Sequence, residues 1–230
     1  MTGIEVVRHP TARRTRLVVD PASGTVRLVV PRRAPLKLAL AWAQGKAAWI
    51  AAQRAALPAA VPFAPGTRLT VADVALTIAW EAGSRRRVEQ VGDTLSLSGP
   101  IETVARRVEA WLRARALAVL ADDTALYAAR AGVTVGKVAV GDARGRWGSC
   151  APDGTIRYSW RLILAPGWVR RATAAHEVAH RVHMDHSPAF HAVVARLYAG
   201  DPDGHDPAAA RAWLRAHGAA LHWYGRSSGS

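Results

Sequence analysis

Hydrophobic and polar residues alternate in short runs over the first hundred positions, a period that is typical of half-buried strands. Runs rich in β-branched residues at 15–19 and 25–30 predict two strands, and the Asp-Pro-Ala-Ser-Gly segment between them predicts a hairpin connection. A helical spacing of apolar residues then predicts one amphipathic helix, which begins at Leu36 and ends before Pro58. This part of the chain is therefore expected to be β-rich with a single helix.

Two tryptophans, Trp42 and Trp49, lie one heptad apart on that helix. A pair at this spacing is more often part of a packed face than of a binding surface, so we expect both rings to pack. A Pro/Ala-rich segment at 58–66 is typical of a linker. Three further strand-like runs follow it, between residues 68 and 97.

A long helical repeat of apolar residues begins at Pro100 and continues to about Ala131, where Gly132 is the predicted C-cap. Strand patterns follow at 133–140 and 155–159. The alternation of short strands and helices predicts an α+β fold.

Three more helices are predicted in the last third of the chain. The first starts at Pro166, the second is opened by Ser187 as N-cap and Pro188 in the first turn, and the third spans 206–217. The expected organisation is a β-rich N-terminal part at 1–99, a second domain at 100–226 and a disordered tail at 227–230.

The first of these helices carries the sequence His176-Glu177-Val178-Ala179-His180. Residues four apart lie on one face of a helix, so both imidazoles can bind one metal ion. Glu177 is the only glutamate after Glu109, and it lies beside that face, where a carboxylate can take a proton from a metal-bound water. The alternative is a surface helix with two idle histidines.

A third ligand is needed, because catalytic zinc usually takes three protein ligands and one water. On a continuous helix His183 lies about 10.5 Å further along the axis than His176, so the three rings cannot converge. It is therefore expected to be a supporting or surface residue. If the helix ends near Met184, His186 in the following turn is free to reach the metal, and His191 in the next helix is the other candidate.

Composition adds a strong positive charge to this picture. The chain has 31 Lys and Arg residues and a net charge of +14, which attracts polyanions such as nucleic acids and nucleotides. Compositional bias towards Arg explains the same charge equally well. The run Arg85-Arg86-Arg87 is expected to be a solvated loop tip rather than a phosphate contact.

The cellular setting is indicated by what the sequence lacks. A lone cysteine, Cys150, excludes an intramolecular disulfide framework and fits a reducing compartment. No apolar run reaches the roughly 18 residues of a membrane helix, and the first residues have no signal-peptide character. We therefore expect a cytoplasmic protein without a membrane partner.

Four segments of the chain stand in a distinctive order. They are Arg-Trp-Gly-Ser-Cys at 146–150, Trp-Arg-Leu-Ile-Leu-Ala-Pro at 160–166, the histidine motif at 176–180, and His-Ser-Pro-Ala-Phe at 186–190. Together they resemble the YgjP-like metal-dependent hydrolases, which are relatives of the SprT-like zincin metallopeptidases. The resemblance extends over about residues 13–224.

The resemblance implies zinc bound by His176, His180 and His186, with Glu177 as the catalytic base. It also implies a zincin-like core, in which a small twisted sheet packs on the helix of the motif. One departure is His191, where family members tend to carry Trp; it leaves a spare histidine near the metal.

The function implied is a zinc-dependent peptidase that acts on a peptide or an unfolded protein. Arg146 is a candidate for holding an oxyanion or an anionic substrate, the 145–159 hairpin for pairing with an extended peptide, and Asp185 and Asp206 for orienting a ligand imidazole. One alternative is a metal-dependent nucleoside triphosphate pyrophosphohydrolase. Another is a nucleic-acid-associated protein with a structural metal, although Glu177 counts against it because such a site needs no base.

Overall fold

The computed structural model describes residues 3–83 and 87–227, and their contacts divide the chain into two units, Met1–Ala59 and Ala60–Ser230. Arg85 and Arg86 of the basic run, and the predicted tail from 228 onwards, lie outside the described residues. Within the described ranges, no helix is both long enough and apolar enough to cross a membrane.

In its described part, residues 3–59, the N-terminal unit consists of a three-stranded sheet and two short helices. Its strands β1, β2 and β3 lie in the order β1-β3-β2, with β1 parallel and β2 antiparallel to β3. A small core forms where the central strand packs on the first helix. The elements are β1 (Ile4–His9), β2 (Arg16–Val19), β3 (Val26–Pro31), α1 (Leu36–Gln44) and α2 (Ala47–Ala55), and the core residues are Leu28, Val30, Ala39 and Ala43.

The single helix predicted here is wrong, because the chain breaks between α1 and α2. Gly45 is the C-cap of α1, and Lys46 has a non-helical backbone with φ −101° and ψ 18°. Glycine is the poorest helix former after proline, which explains why the break falls at this point. The expected packing of the two tryptophans is also wrong, since Trp42 is 43% exposed and Trp49 is 41% exposed.

The C-terminal unit, from Ala60, contains two small sheets and four helices among its described residues. The strands of its middle sheet run in the order β4-β5-β7-β6, and those of its second sheet in the order β8-β10-β9. The strands are β4 (Arg68–Val71), β5 (Val74–Glu81), β6 (Glu89–Val91), β7 (Thr94–Ser98), β8 (Lys137–Gly141), β9 (Gly148–Cys150) and β10 (Thr155–Ser159). The helices are α3 (Val104–Ala131), α4 (Gly167–Ala179), α5 (Pro188–Tyr198) and α6 (Pro207–Leu221). The α+β class is therefore confirmed.

One hydrophobic core joins the middle sheet to the helices of this unit. Every fourth residue along the first half of α3 is buried, and these side chains share a core with Leu76 and Leu95 of the sheet and with Val169 and Val178 of α4. The boundary predicted after residue 99 thus falls inside the C-terminal unit, because the middle sheet buries its face in this common core. The division at Ala59 instead falls in the Pro/Ala-rich segment interpreted as a linker. Gly132 ends α3 with φ 66°, as predicted.

The start of α4 is held by a tight turn of the middle sheet. Ala72 and Asp73 join β4 to β5 and both have positive φ, 49° and 68°, as a two-residue hairpin of the primed type requires. The Asp73 carboxylate accepts a hydrogen bond from the Gly167 backbone N–H at 2.7 Å. A carboxylate at a helix N-terminus satisfies an otherwise unpaired donor and interacts favourably with the helix dipole.

The end of α6 is held by a buried arginine. Arg161 is 8% exposed and its guanidinium donates to Asp142 at 2.7 Å, to the Leu221 carbonyl at 2.7 Å and to the Tyr224 carbonyl at 3.0 Å. This side chain comes from the Trp-Arg-Leu-Ile-Leu segment just before α4. It therefore ties the second sheet and the end of α6 to the chain that leads into the histidine motif.

Candidate metal centre

Helix α4 carries His176 and Glu177 in its last turn and ends at Ala179, with His180 at the C-cap. The prediction that this helix continues to near Met184 is therefore wrong. After Ala179 the chain turns, and the backbone N–H groups of Arg181 and Val182 donate to the carbonyls of Val178 and Ala179. Because the helix ends early, the chain turns back towards it and places His186 close to His176 and His180.

Three imidazoles converge at this turn. One nitrogen from each of His176, His180 and His186 lies within 4.8 Å of the others, and the two Nε2 atoms of His176 and His186 are 3.3 Å apart. Phe190 of α5 is completely buried behind them, and its ring stacks on His180 with the centroids 4.5 Å apart. All three imidazole rings therefore pack on the Phe190 ring, and one nitrogen of each lies close to the other two.

His180 has its tautomer set by a backbone group. Its Nδ1 lies 3.2 Å from the carbonyl oxygen of His183, and a carbonyl can only accept, so Nδ1 carries the hydrogen. The lone pair is then on Nε2, where a metal ligand needs it. His183 does support the site as expected, but through its main chain rather than its ring.

The charge state of the imidazoles suits metal binding. Burial, followed by the neighbouring His180 and His186, lowers the pKa of His176 to about 4. Burial also lowers the pKa of His180. Both rings therefore stay neutral at physiological pH, and neutral imidazole is the form that binds metal.

Glu177 lies beside this group in an apolar setting. Its side chain is nearly buried, with the residue 5% exposed, and no described residue donates a hydrogen bond to its carboxylate. Burial raises its pKa to about 7, while the charge of Arg146 opposes the rise. A carboxyl group with this pKa can both accept and release a proton near neutral pH.

Strand β9 passes so close to Glu177 that only glycine fits. A Cβ added at Gly148 would lie 2.6 Å from Cγ and 2.7 Å from Cδ of Glu177. The Arg-Trp-Gly-Ser-Cys segment thus places a residue without a side chain against the carboxylate, and its strand forms one wall of the site.

Other residues suggested by the sequence have different partners. His191 does not belong to the three-imidazole group, and its ring centroid is 6.4 Å from that of His186. Asp185 accepts from the Ser187 N–H, and Asp206 caps α6 by accepting from the Ala209 N–H at 2.7 Å. Neither aspartate is hydrogen-bonded to one of the three imidazoles. The group that orients His180 is the main-chain carbonyl of His183.

A family model described as YgjP-like, metallopeptidase domain, matches residues 13–217 of the chain. The chain belongs to the YgjP-like family. The resemblance carried by the four segments is thereby confirmed. No curated protein and no solved structure matches the chain.

Membership of the YgjP-like family supports a metal-dependent hydrolase. The group of His176, His180 and His186 could hold the divalent ion that such an enzyme needs. The family thus gives the class of chemistry, and these three imidazoles of the YgjP-like chain form a group that could hold the metal.

A pocket of about 230 Å³ opens directly beside His176 and Glu177. Its apolar lining comes from Trp147, from α4 and from Leu214 of α6, and Arg211 stands at its exposed rim. The Trp147 ring packs against α6, where a Cβ at Gly218 would lie 2.6 Å from its Cζ2 atom. The sequence did not predict that α6 lines this pocket of the YgjP-like chain. Its amphipathic pattern indicated a packed helix, but not what the helix packs against.

Replacing Gly148 by Ala is expected to lower kcat/KM by about 100-fold. The new methyl group must push the Glu177 side chain away from its position. For a group with the proposed role of Glu177 in the reaction, a displacement of about 1 Å has an effect of that size. The matched control is Gly145→Ala in the preceding loop, where an added Cβ meets nothing within 4 Å. Steady-state kinetics of the two variants check this. Equal activities would contradict the close packing of β9 on Glu177.

The buried Glu177 is expected to destabilise the metal-free protein at high pH. Its pKa of about 7 in the fold exceeds the ordinary 4.5, so the fold favours the neutral acid. The free energy of unfolding therefore falls as pH rises from 4.5 through 7, by about 3 kcal/mol in all. Glu177→Gln, which stays neutral, should be more stable than wild type by that amount at pH 8 and equal to it near pH 4.

Urea unfolding of both proteins in the presence of a chelator measures this difference. A gap between variant and wild type that is the same at both pH values would show that Glu177 is not the titrating group.

Proposed function

We propose that this chain is a zinc-dependent peptidase, with the zinc held by His176, His180 and His186 and with Glu177 as its general base. The observation that carries this proposal is the convergence of three imidazole nitrogens within 4.8 Å, beside a buried carboxylate to which no described residue donates a hydrogen bond. In the same proposal, α4 with the second sheet forms a zincin-like core.

The donor set fits zinc. Zinc takes imidazole nitrogens at about 2.0 Å, and its catalytic sites have three protein ligands with a fourth position open. Three imidazoles, of which that of His186 is exposed, match that pattern better than the all-oxygen sites of calcium or magnesium. A purely structural site would normally be closed by a fourth protein ligand, and the described residues offer none.

The chemistry divides between the ion and Glu177. When bound, zinc lowers the pKa of a coordinated water towards about 7 and polarises the substrate carbonyl. The Glu177 carboxylate takes the proton of the attacking water and delivers it to the leaving nitrogen. The Glu177 side chain is buried against β9, where Gly148 leaves just enough room for it.

Two features beside the motif support a peptide as the substrate. β9 is an edge strand of its sheet, so an extended peptide can pair with it next to Glu177. The 230 Å³ pocket takes a substrate side chain, since a cavity of about 150 Å³ already accommodates a benzene ring. A peptide that pairs with β9 can therefore place a large apolar side chain between α4 and α6.

The second candidate, hydrolysis of nucleoside triphosphates, rests on two arginines. Arg146 opposes the rise that burial causes in the pKa of Glu177, and Arg211 lines the pocket beside His176, so both positive charges lie near the site. Guanidinium groups bind phosphate well. An apolar pocket beside the base nevertheless favours a side chain over a triphosphate.

One experiment separates the two. The zinc-loaded protein is incubated with an unfolded protein, with a peptide mixture and with nucleoside triphosphates, and new amino termini and released phosphate are measured. Cleavage should appear in the peptide samples, with large apolar residues beside the cut. Phosphate or pyrophosphate release without any new amino terminus would overturn the peptidase and establish the second function.

A further inference from the structure

The N-terminal unit carries more than its share of the positive charge. Residues 1–59 contain ten Lys or Arg and two acidic residues, a net charge of +8 out of the +14 of the whole chain. Both acidic residues, Glu5 and Asp20, pair with Arg27. Arg13, Arg14 and Arg16, at the start of β2, are exposed to solvent.

The two exposed tryptophans of this unit line one groove together. We call it the tryptophan groove; it has a volume of about 370 Å³ and is lined by Thr15, Arg16, Leu17, Trp42, Lys46 and Trp49. One wall is β2, the edge strand of the sheet, and the other is formed by the end of α1 and the start of α2. The Lys46 ammonium lies 5.9 Å from the centre of the Trp42 ring.

Leaving two indole rings this exposed is unfavourable unless they have a ligand, because each exposes apolar area that burial would stabilise. The helix break at Gly45 and Lys46 explains how the groove is built. It places Trp42 on α1, Trp49 on α2 and Lys46 between the two helices. The flat aromatic faces and the cations are thus on the same surface.

We propose that the tryptophan groove binds single-stranded nucleic acid, with bases stacked on Trp42 and Trp49 and phosphates on Arg16 and Lys46. Proteins that bind single strands combine aromatic platforms with a basic groove that follows the backbone. Bases in a duplex are already stacked on one another, so the exposed rings select unpaired bases. An anionic membrane fits this site less well than a nucleic acid strand does. A membrane needs an apolar face that can enter the lipid, whereas the two tryptophans line a concave groove.

The test uses the full chain and a labelled oligothymidylate of about 20 nucleotides, longer than the roughly 4–16 nucleotides that one such site covers. Fluorescence anisotropy at about 50 to 200 mM salt gives the Kd and its salt dependence. Trp42→Ala and Trp49→Ala should each weaken binding by about 5- to 150-fold, the range for loss of one stacked base. Trp42→Tyr should retain most of the affinity because it keeps an aromatic face.

The matched control is Leu38→Ala, an exposed apolar residue on α1 that does not line the groove. It should bind like wild type. Lys46→Gln and Arg16→Gln should each reduce the slope of log K against log salt by about 0.7, which corresponds to one phosphate contact on a single strand. Thermal unfolding of every variant shows whether the fold is retained.

Three results would overturn the proposal. The first is the absence of binding at the lowest salt. The second is equal affinity of wild type and the folded alanine variants, which would leave only unspecific attraction by charge. The third is preference for a duplex, or for vesicles of anionic lipid, over the single strand. Because the measurement is of binding alone, it is independent of whether the metal centre cleaves peptides.

Discussion

Replacing Glu177 by Gln is expected to lower kcat of the zinc-loaded protein by about 10²- to 10⁴-fold, the usual contribution of a general base. The amide has nearly the shape of the carboxyl group, so it fits the same buried space beside Gly148. It has no lone pair basic enough to take a proton from water. The zinc content should stay at the wild-type value, because Glu177 is not one of the three nitrogen ligands.

The control for this change is Glu102→Gln, an exposed glutamate that follows Pro100. It should behave as wild type. Metal content by mass spectrometry is measured on the same samples as activity. A Glu177→Gln protein that keeps more than a tenth of the wild-type rate would remove Glu177 from the role of base, and so would a loss of activity that merely follows a loss of zinc.

Replacing His180 by Ala is expected to weaken zinc binding by more than about 100-fold, since loss of a group that only orients a ligand already reduces affinity by about 10- to 100-fold. The change removes one of three nitrogens and also leaves the His183 carbonyl without its donor. Competition with a chromophoric chelator measures the affinity. Hydrolysis should disappear together with the metal.

Two other histidines serve as controls for this loss. His183→Ala should bind zinc as wild type does, because the hydrogen bond to His180 comes from its main-chain carbonyl, which the substitution keeps. His191→Ala should do the same, since its ring lies outside the three-imidazole group. If His191→Ala lost zinc while His186→Ala kept it, the third ligand would have been assigned to the wrong residue.

The pair His176 and His180 and the neighbouring Glu177 could be proposed from sequence because helix geometry acts over four residues. Local rules also suggested His186, since Ser187 and Pro188 are typical of the start of a helix, and Ser187 does accept from the Phe190 N–H. The end of α4 at Ala179 was not predictable in this way. No glycine or proline marks it, and it coincides with packing of the turn on Phe190.

Contacts between distant segments were beyond these rules. Asp73 caps α4 from a turn 94 residues earlier in the chain, and Leu214 and Arg211 line the pocket from a helix more than 30 residues later. The unit boundary was misplaced for the same reason. A strand pattern shows that one face is buried, but it does not show that this face shares its core with α3 and α4.

The exposure of Trp42 and Trp49 shows a further limit of sequence patterns. Heptad spacing indicates a shared face only while the helix is continuous, and here it stops at Gly45. Because the helix ends at this glycine, the two tryptophans that were expected to pack together line an open groove instead.

The most direct test of the central claim, that hydrolysis depends on one metal ion at the three imidazoles, is the rate of peptide cleavage during titration of the metal-stripped protein with zinc. The stripped protein should be inactive, and the rate should rise to a plateau at about one zinc per chain, as one three-histidine site requires. Cleavage by the stripped protein at the full rate, or no cleavage at any amount of zinc, would contradict the account.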